Sequence, residues 1–110
     1  MKNKYKILVT GVAGFLGSHL SEQLANLGHE VIGIDSMIGG YKDNIPNNIK
    51  FHNIDCCNFE KVKAIMSKVD IVYHCAATAH EGLSVFSPYE ITKNNYLASV
   101  SIFSAAINHK

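Results

Sequence analysis

The chain has 110 residues, with 10 Lys and Arg against 9 Asp and Glu, and a formal net charge of +1 when its six His are neutral. With 47% hydrophobic and 17% charged residues it can bury the core of one domain, and it lacks the low-hydrophobicity, high-charge composition of disordered chains. The near-neutral balance and scattered cations argue against a nucleic-acid backbone or an anionic membrane as the main partner.

Lys2, Lys4 and Lys6 precede an apolar run of only Ile7 to Val9, which fits neither a secretory leader nor a membrane span. Of the three Cys, Cys56 and Cys57 are adjacent and cannot easily meet disulfide geometry. All three read as reduced thiols, which places the chain in the cytoplasm.

Lys6-Ile7-Leu8-Val9-Thr10 is a short β-branched run stopped by Gly11, as expected of a strand buried on both faces. Phe15, Leu16, His19, Leu20, Gln23, Leu24 and Leu27 then recur at three and four residues, predicting a helix with that stripe inward and Gly28 as its C-cap. His29 to Asp35 is a second buried strand ending in an acid. Ser36 to Asn48, rich in Gly and Asn, is a loop, and Ile49 to Ile54 fits a third strand.

Asn58 is placed to cap a short helix through Lys68, with Phe59, Val62, Ile65 and Met66 on one face. Asp70 to Cys75 is a fourth strand and Ala76 to Pro88 a loop of small residues. Tyr89 to Asn108 reads as a long helix with Ile91, Tyr96, Leu97, Val100, Phe103, Ala106 and Ile107 on its apolar sides. The series is β-α-β-β-α-β-α, or a full βαβαβαβα if the Ser36 to Asn48 connection holds a short helical turn. Either way the class is α/β with a parallel sheet. No repeat or linker divides residues 1–110.

The most informative segment is Thr10-Gly11-Val12-Ala13-Gly14-Phe15-Leu16-Gly17, between a buried strand and a helix. Gly11 supplies a tight turn off the strand, Gly14 lets backbone approach a pyrophosphate, and Gly17 lets the helix lie close to the sheet. The first-turn N–H groups, those of Phe15 and Leu16 with Gly17, offer hydrogen bonds and a partial positive charge to phosphates. Asp35, at the end of the second strand, is placed to accept both hydroxyls of an adenosine ribose, and a carboxylate there favours NAD over NADP by repelling a 2′-phosphate. A strand-to-helix turn with a surface Asp is the plainer alternative.

With its G-x-x-G-x-x-G spacing after Thr10, the chain resembles the extended short-chain dehydrogenase/reductase family. More narrowly it is similar to the NAD-dependent nucleotide-sugar epimerases and dehydratases of the UDP-glucose 4-epimerase type. The resemblance implies a Rossmann-type doubly wound sheet, of which about four strands are present. Four further segments carry it. Val31 to Asp35, followed by Ser36, Gly39, Gly40 and Asn44, is similar to the family's strand, acid and Gly-containing turn with a later Asn, and implies adenosine-ribose and phosphate contacts at Ser36 and Gly39. Ser36 stands where Asn is usual, and Gly39 where Ser or Thr is common.

Ile54-Asp55-Cys56 resembles the element in which the acid accepts the adenine amino group and the next backbone N–H meets a ring nitrogen; alternatively Asp55 is a turn acid. His74-Cys75-Ala76-Ala77 matches H-x-A-A, which implies that the backbone of Cys75, Ala76 and Ala77 borders the cofactor and that His74 is a buried, hydrogen-bonded residue. Ser84, Ser87-Pro88 and Asn95 with Ala98, Ser99, Phe103, Ala105 and Ala106 resemble the stretch that places a Ser (here Ser84) near nicotinamide and substrate and an Asn (here Asn95) bracing the backbone of the site. A plain helix-surface Asn is the other reading of Asn95. The same helix implies homodimerisation of an intact protein.

Only Tyr89-Glu90-Ile91-Thr92-Lys93 fits Y-x-x-x-K. It falls before Asn95, whereas the family places its catalytic pair beyond a fifth strand, so these are read as first-turn helix residues. His52, Asp55, Cys56 and Cys57 lack metal-ligand spacing, and Cys75 with His80 and Glu81 has no further support as a nucleophile with its base. No catalytic residue and no metal site is assigned.

The expectation is therefore the NAD-binding portion of an epimerase or dehydratase acting on a nucleotide sugar, inactive alone, with the Tyr/Lys segment and sugar domain absent. The alternatives are a stand-alone NAD-binding module and part of an extended-family carbonyl reductase.

Overall fold

The computed structural model describes residues 3–37, 40–76, 89 and 92–108. Strands β1 (Lys6–Thr10), β2 (Glu30–Asp35), β3 (Lys50–Asn53) and β4 (Ile71–His74) form one sheet in the order β3-β2-β1-β4. Each neighbouring pair is parallel. Among the described residues the helices are α1 (Phe15–Asn26), α2 (Phe59–Ile65) and α3 (Ala98–Asn108). Between β2 and β3 the described residues include a 3-10 turn, Lys42–Asn44, so the helical turn required by the longer element series is present in a short form.

β1 shows why the sheet is buried on both faces. Alternate residues of a strand point to opposite sides. Ile7 and Val9 join Val12 and Val31, with Leu24 and Ala25 of α1 packed against them. Leu8 instead joins Ile32, Ile34, Val62 and Met66 with Ala98, Ile102 and Ala105 of α3. The continuous apolar run of β1 therefore serves two cores, one under α1 and one under α2 and α3.

The helix ends follow their local chemistry. Gly28, at φ +96°, donates its N–H to the Ala25 carbonyl while His29 N–H reaches the Leu24 carbonyl; this paired pattern is the Schellman stop. Asn58 caps α2 by accepting from Lys61 N–H at 3.3 Å. The expected inner face of α2 is present, with Val62 and Met66 buried and Phe59 and Ile65 packed beside them.

The faces of α1 and α3 differ from expectation. α1 buries Gly17, Ser18 and Ser21 and turns Phe15, Leu16 and Leu27 to solvent. A Cβ on Gly17 would lie 2.1 Å from the Gly11 carbonyl oxygen, so the helix packs too near the turn for a large side chain on that face. α3 likewise buries Ala98, Ser101, Ile102 and Ala105, while Tyr96, Leu97, Val100, Phe103 and Ile107 are exposed. α3 is entered through a π-helical stretch, Lys93–Leu97, in which Ala98 N–H reaches the Lys93 carbonyl.

Candidate functional site

The parallel register brings the ends of β3, β2, β1 and β4 to one edge. Asp35 lies opposite Asn53, Thr10 opposite Ile34, and Thr10 opposite His74. The loops leaving that edge carry most of the residues singled out from the sequence.

Gly11 has φ +76°, and a Cβ there would stand 2.9 Å from Ala76 N. Its own N–H donates to the Ile34 carbonyl at 2.8 Å. The turn off β1 is thus wedged between β2 and the end of β4, and only glycine fits. Gly14 differs: its φ of −90° is ordinary, and a Cβ there would meet only the Gly11 carbonyl oxygen, at 3.4 Å. Crowding among the described residues does not require glycine at this position.

Gly14 is the N-cap of α1, with no side-chain cap and no acid in the first turn. The N-terminal N–H groups of a helix have no intrahelical partner. Those of Phe15, Leu16 and Gly17 therefore form an uncapped donor set with a partial positive charge. Phe15 and Leu16 side chains point outward, the Phe15 ring meeting the edge of His19 at a centroid distance of 4.8 Å.

Asp35 is held on both sides. Its Oδ2 accepts from Ala13 N–H at 3.0 Å and its Oδ1 from Met37 N–H at 2.7 Å. Met37 has φ +72°, a left-handed conformation uncommon for a non-glycine residue. A carboxylate oxygen has more than one lone pair, so both oxygens retain acceptor capacity. The half-buried Ser36 follows directly.

The returning loop locks onto the same turn. The Ala13 carbonyl accepts from Asn44 Nδ2 at 3.1 Å and from Tyr41 N–H at 3.2 Å, and a Cβ on Gly40 would meet Ala13 Cβ at 2.7 Å. Sequence reasoning did not assign Ala13, Met37 or Gly40 to the site. Asn44 was visible only as the later Asn of a resembling segment.

Asp55 makes the turn named as the alternative: Oδ1 accepts from Cys57 N–H at 2.8 Å and its carbonyl from Asn58 N–H. Cys56 is buried beside it, and desolvation, helped by the charge of Asp55, pushes its thiol up to about 12. Cys57 is also raised by burial and Asp55, and its Sγ donates to the Lys93 carbonyl at 3.2 Å. Burial raises the half-buried Cys75. All three cysteines are free, and no metal-binding group of His, Cys, Asp and Glu occurs among the described residues. Tyr89 is exposed and Lys93 lies in the π-helical stretch.

A part-buried polar chain crosses from β1 to α3. Ala76 N–H donates to Thr10 Oγ1 at 3.0 Å, Thr10 Oγ1 meets His74 Nδ1 at 2.7 Å, His74 Nε2 meets Ser99 Oγ at 3.0 Å, and Ser99 Oγ–H donates to the Asn95 carbonyl at 2.7 Å. Because Ser99 spends its proton on Asn95, it accepts from His74, which assigns the neutral Nε2–H tautomer. Desolvation lowers the His74 pKa, favouring that neutral form. Gly39, Ala77 and Ser84 lie outside the described residues.

A β3-β2-β1-β4 parallel sheet with a glycine turn after β1 and an acid closing β2 defines a Rossmann-type fold. The chain belongs to the NAD dependent epimerase/dehydratase family, whose model matches residues 7–110. It is 33% identical over 105 residues to UDP-glucuronic acid decarboxylase 1 of Danio rerio, covering 96% of this chain and 25% of that protein. The structure resembles UDP-glucose 4-epimerase of Thermotoga maritima solved with UDP-glucose, at TM-score 0.90, 33% identity, and coverage of 94% of this chain and 34% of that one. UDP-glucose 4-epimerase of Thermus thermophilus in complex with NAD matches at TM-score 0.87 and 32% identity, covering 94% and 34%. The chain thus spans about a quarter to a third of these relatives.

Proposed function

We propose that this chain binds NAD and provides the dinucleotide half of a nucleotide-sugar epimerase, dehydratase or decarboxylase. The observation that carries the proposal is the uncapped α1 N-terminus beside Gly14, whose missing side chain no neighbour among the described residues requires. A pyrophosphate fits that cradle, because backbone N–H groups and the helix dipole favour an anion. Asp35, held by Ala13 and Met37 N–H groups, would accept the adenosine ribose hydroxyls, and Ser36 and Gly39 are assigned to the adenosine-ribose and phosphate contacts that the family resemblance implies. Asp55 and Cys56 would border adenine, and Cys75, Ala76 and Ala77 the central part of the cofactor.

NAD, when bound, supplies a reversible hydride acceptor. The residues here would hold and orient it, with Asn95 assigned to brace the site and Ser84 to contact the sugar, as the family resemblance implies. Turnover would call on residues beyond these 110, and the homodimer implied by the Asn95 helix belongs to the same proposal. A cytoplasmic setting is supported by the three free thiols. Among the described residues no helix is long and apolar enough to cross a membrane.

Thermal unfolding in the presence of NAD or NADP tests the reading. A ligand that binds only the folded chain stabilises it by about 2.7 kcal/mol at a hundredfold excess over Kd. A rise with NAD that exceeds the rise with NADP is expected. A cooperatively unfolding chain that responds to neither contradicts it.

A further inference from the structure

We propose that His74 is a positioning residue that holds the Ala76 peptide against the glycine turn through an unbroken hydrogen-bond chain anchored on Asn95 of the following helix. The proposal rests on the reading above only for the identity of the ligand at that edge.

Each link determines the next. The Asn95 carbonyl takes the Ser99 hydroxyl proton, so Ser99 accepts from Nε2. His74 then has a bare Nδ1, which accepts the Thr10 hydroxyl proton, leaving Thr10 Oγ1 as the acceptor for Ala76 N–H. All donors run in one direction, from Ala76 to Asn95, and bonds aligned in this way polarise one another. The far end is the contact that matters: Ala76 N lies where a Cβ on Gly11 would be only 2.9 Å away. Moving the Ala76 peptide therefore changes the gap between the end of β4 and the turn after β1. Thr10 and His74 meet because they are register partners on adjacent strands, and the Phe103 ring packs edge-on against the imidazole at 6.0 Å.

His74→Ala would open a hole in the core, so the test acts at the other end of the chain. Amide NMR and NAD titration would compare wild type with Ser99→Ala, Ser99→Thr and Ile102→Val. The last loosens the same helix without touching the relay. Ser99→Ala is expected to shift the Ala76 amide resonance, to speed its hydrogen exchange and to weaken NAD about three- to tenfold, the worth of one neutral hydrogen bond. Ser99→Thr, which keeps the hydroxyl, restores both readouts, and Ile102→Val lowers the unfolding temperature while leaving both in place. An Ala76 amide unmoved by Ser99→Ala, or moved equally by Ile102→Val, overturns the proposal. If the amide responds as expected and wild type binds no NAD, the relay stands and the cofactor reading falls.

Discussion

Asp35 Oδ2 accepts the Ala13 N–H at 3.0 Å, joining the end of β2 to the glycine turn across 22 residues of sequence. The acid and the turn are thereby one unit. With Met37 N–H on the other oxygen, the carboxylate has a fixed direction before any ligand arrives. Asp35→Asn places an amide NH2 against one of two N–H donors, so it is expected to lower stability by about 2 kcal/mol, the worth of a hydrogen bond to a charged group. Urea unfolding measures this loss.

The glycines of the turn separate stability from binding. Gly17→Ala drives a Cβ to within 2.1 Å of the Gly11 carbonyl and should cost about 3 kcal/mol in chemical denaturation, as overpacking does. Gly14→Ala has ordinary backbone and a contact no shorter than 3.4 Å. Its stability should fall by no more than about 1 kcal/mol, the cost of Ala at an N-cap, while its response to NAD is lost. Parallel melts with and without NAD distinguish the two.

Stability should fall in mild acid through His74. Burial lowers its folded pKa below the ordinary 6.5, so above that value both folded and unfolded chains are neutral and the full stability is present. As pH falls below 6.5 the unfolded chain takes up the proton first, and stability is lost down to the folded pKa. Urea midpoints at about pH 7.5 and about pH 5.5 should differ in wild type, and by less in His74→Gln.

Thiol reactivity should be low and ordered. The thiolate is the attacking form, and Cys56, pushed up to about 12 and buried, should label slowest with an alkylating reagent near neutral pH. Cys57 and Cys75, raised but only half-buried, should label sooner, and all three should react rapidly in urea. Mass spectrometry of timed samples reads the order.

Local chemistry made much of the fold legible. β1, the Asn58 cap and the Gly28 stop each follow from residues within a few positions. The tight turn at Gly11, the close helix packing at Gly17 and the position of Asp35 at the end of β2 are legible too. The inner faces of α1 and α3 are only partly legible: Leu24 and Ala106 pack against the cores, but periodicity ranks side chains by hydrophobicity, and closely packed helices select for smallness. Gly17, Ser18 and Ser21 are inside where Phe15 and Leu16 were expected. The resemblance marks His74 as hydrogen-bonded and Asn95 as a brace, but the relay that joins them through Thr10 and Ser99 is not legible, because it links unlike residues on separate elements, with Thr10 and His74 64 positions apart.

The central claim is NAD binding oriented by Asp35, and calorimetric titration of wild type and Asp35→Ala with NAD and NADP tests it most directly. The account predicts one site that prefers NAD and is weakened about tenfold to a hundredfold by Asp35→Ala, the range for hydrogen bonds to a charged acceptor. A cooperatively folded wild-type chain that gives no binding heat, or that takes NADP as well as NAD, would contradict it.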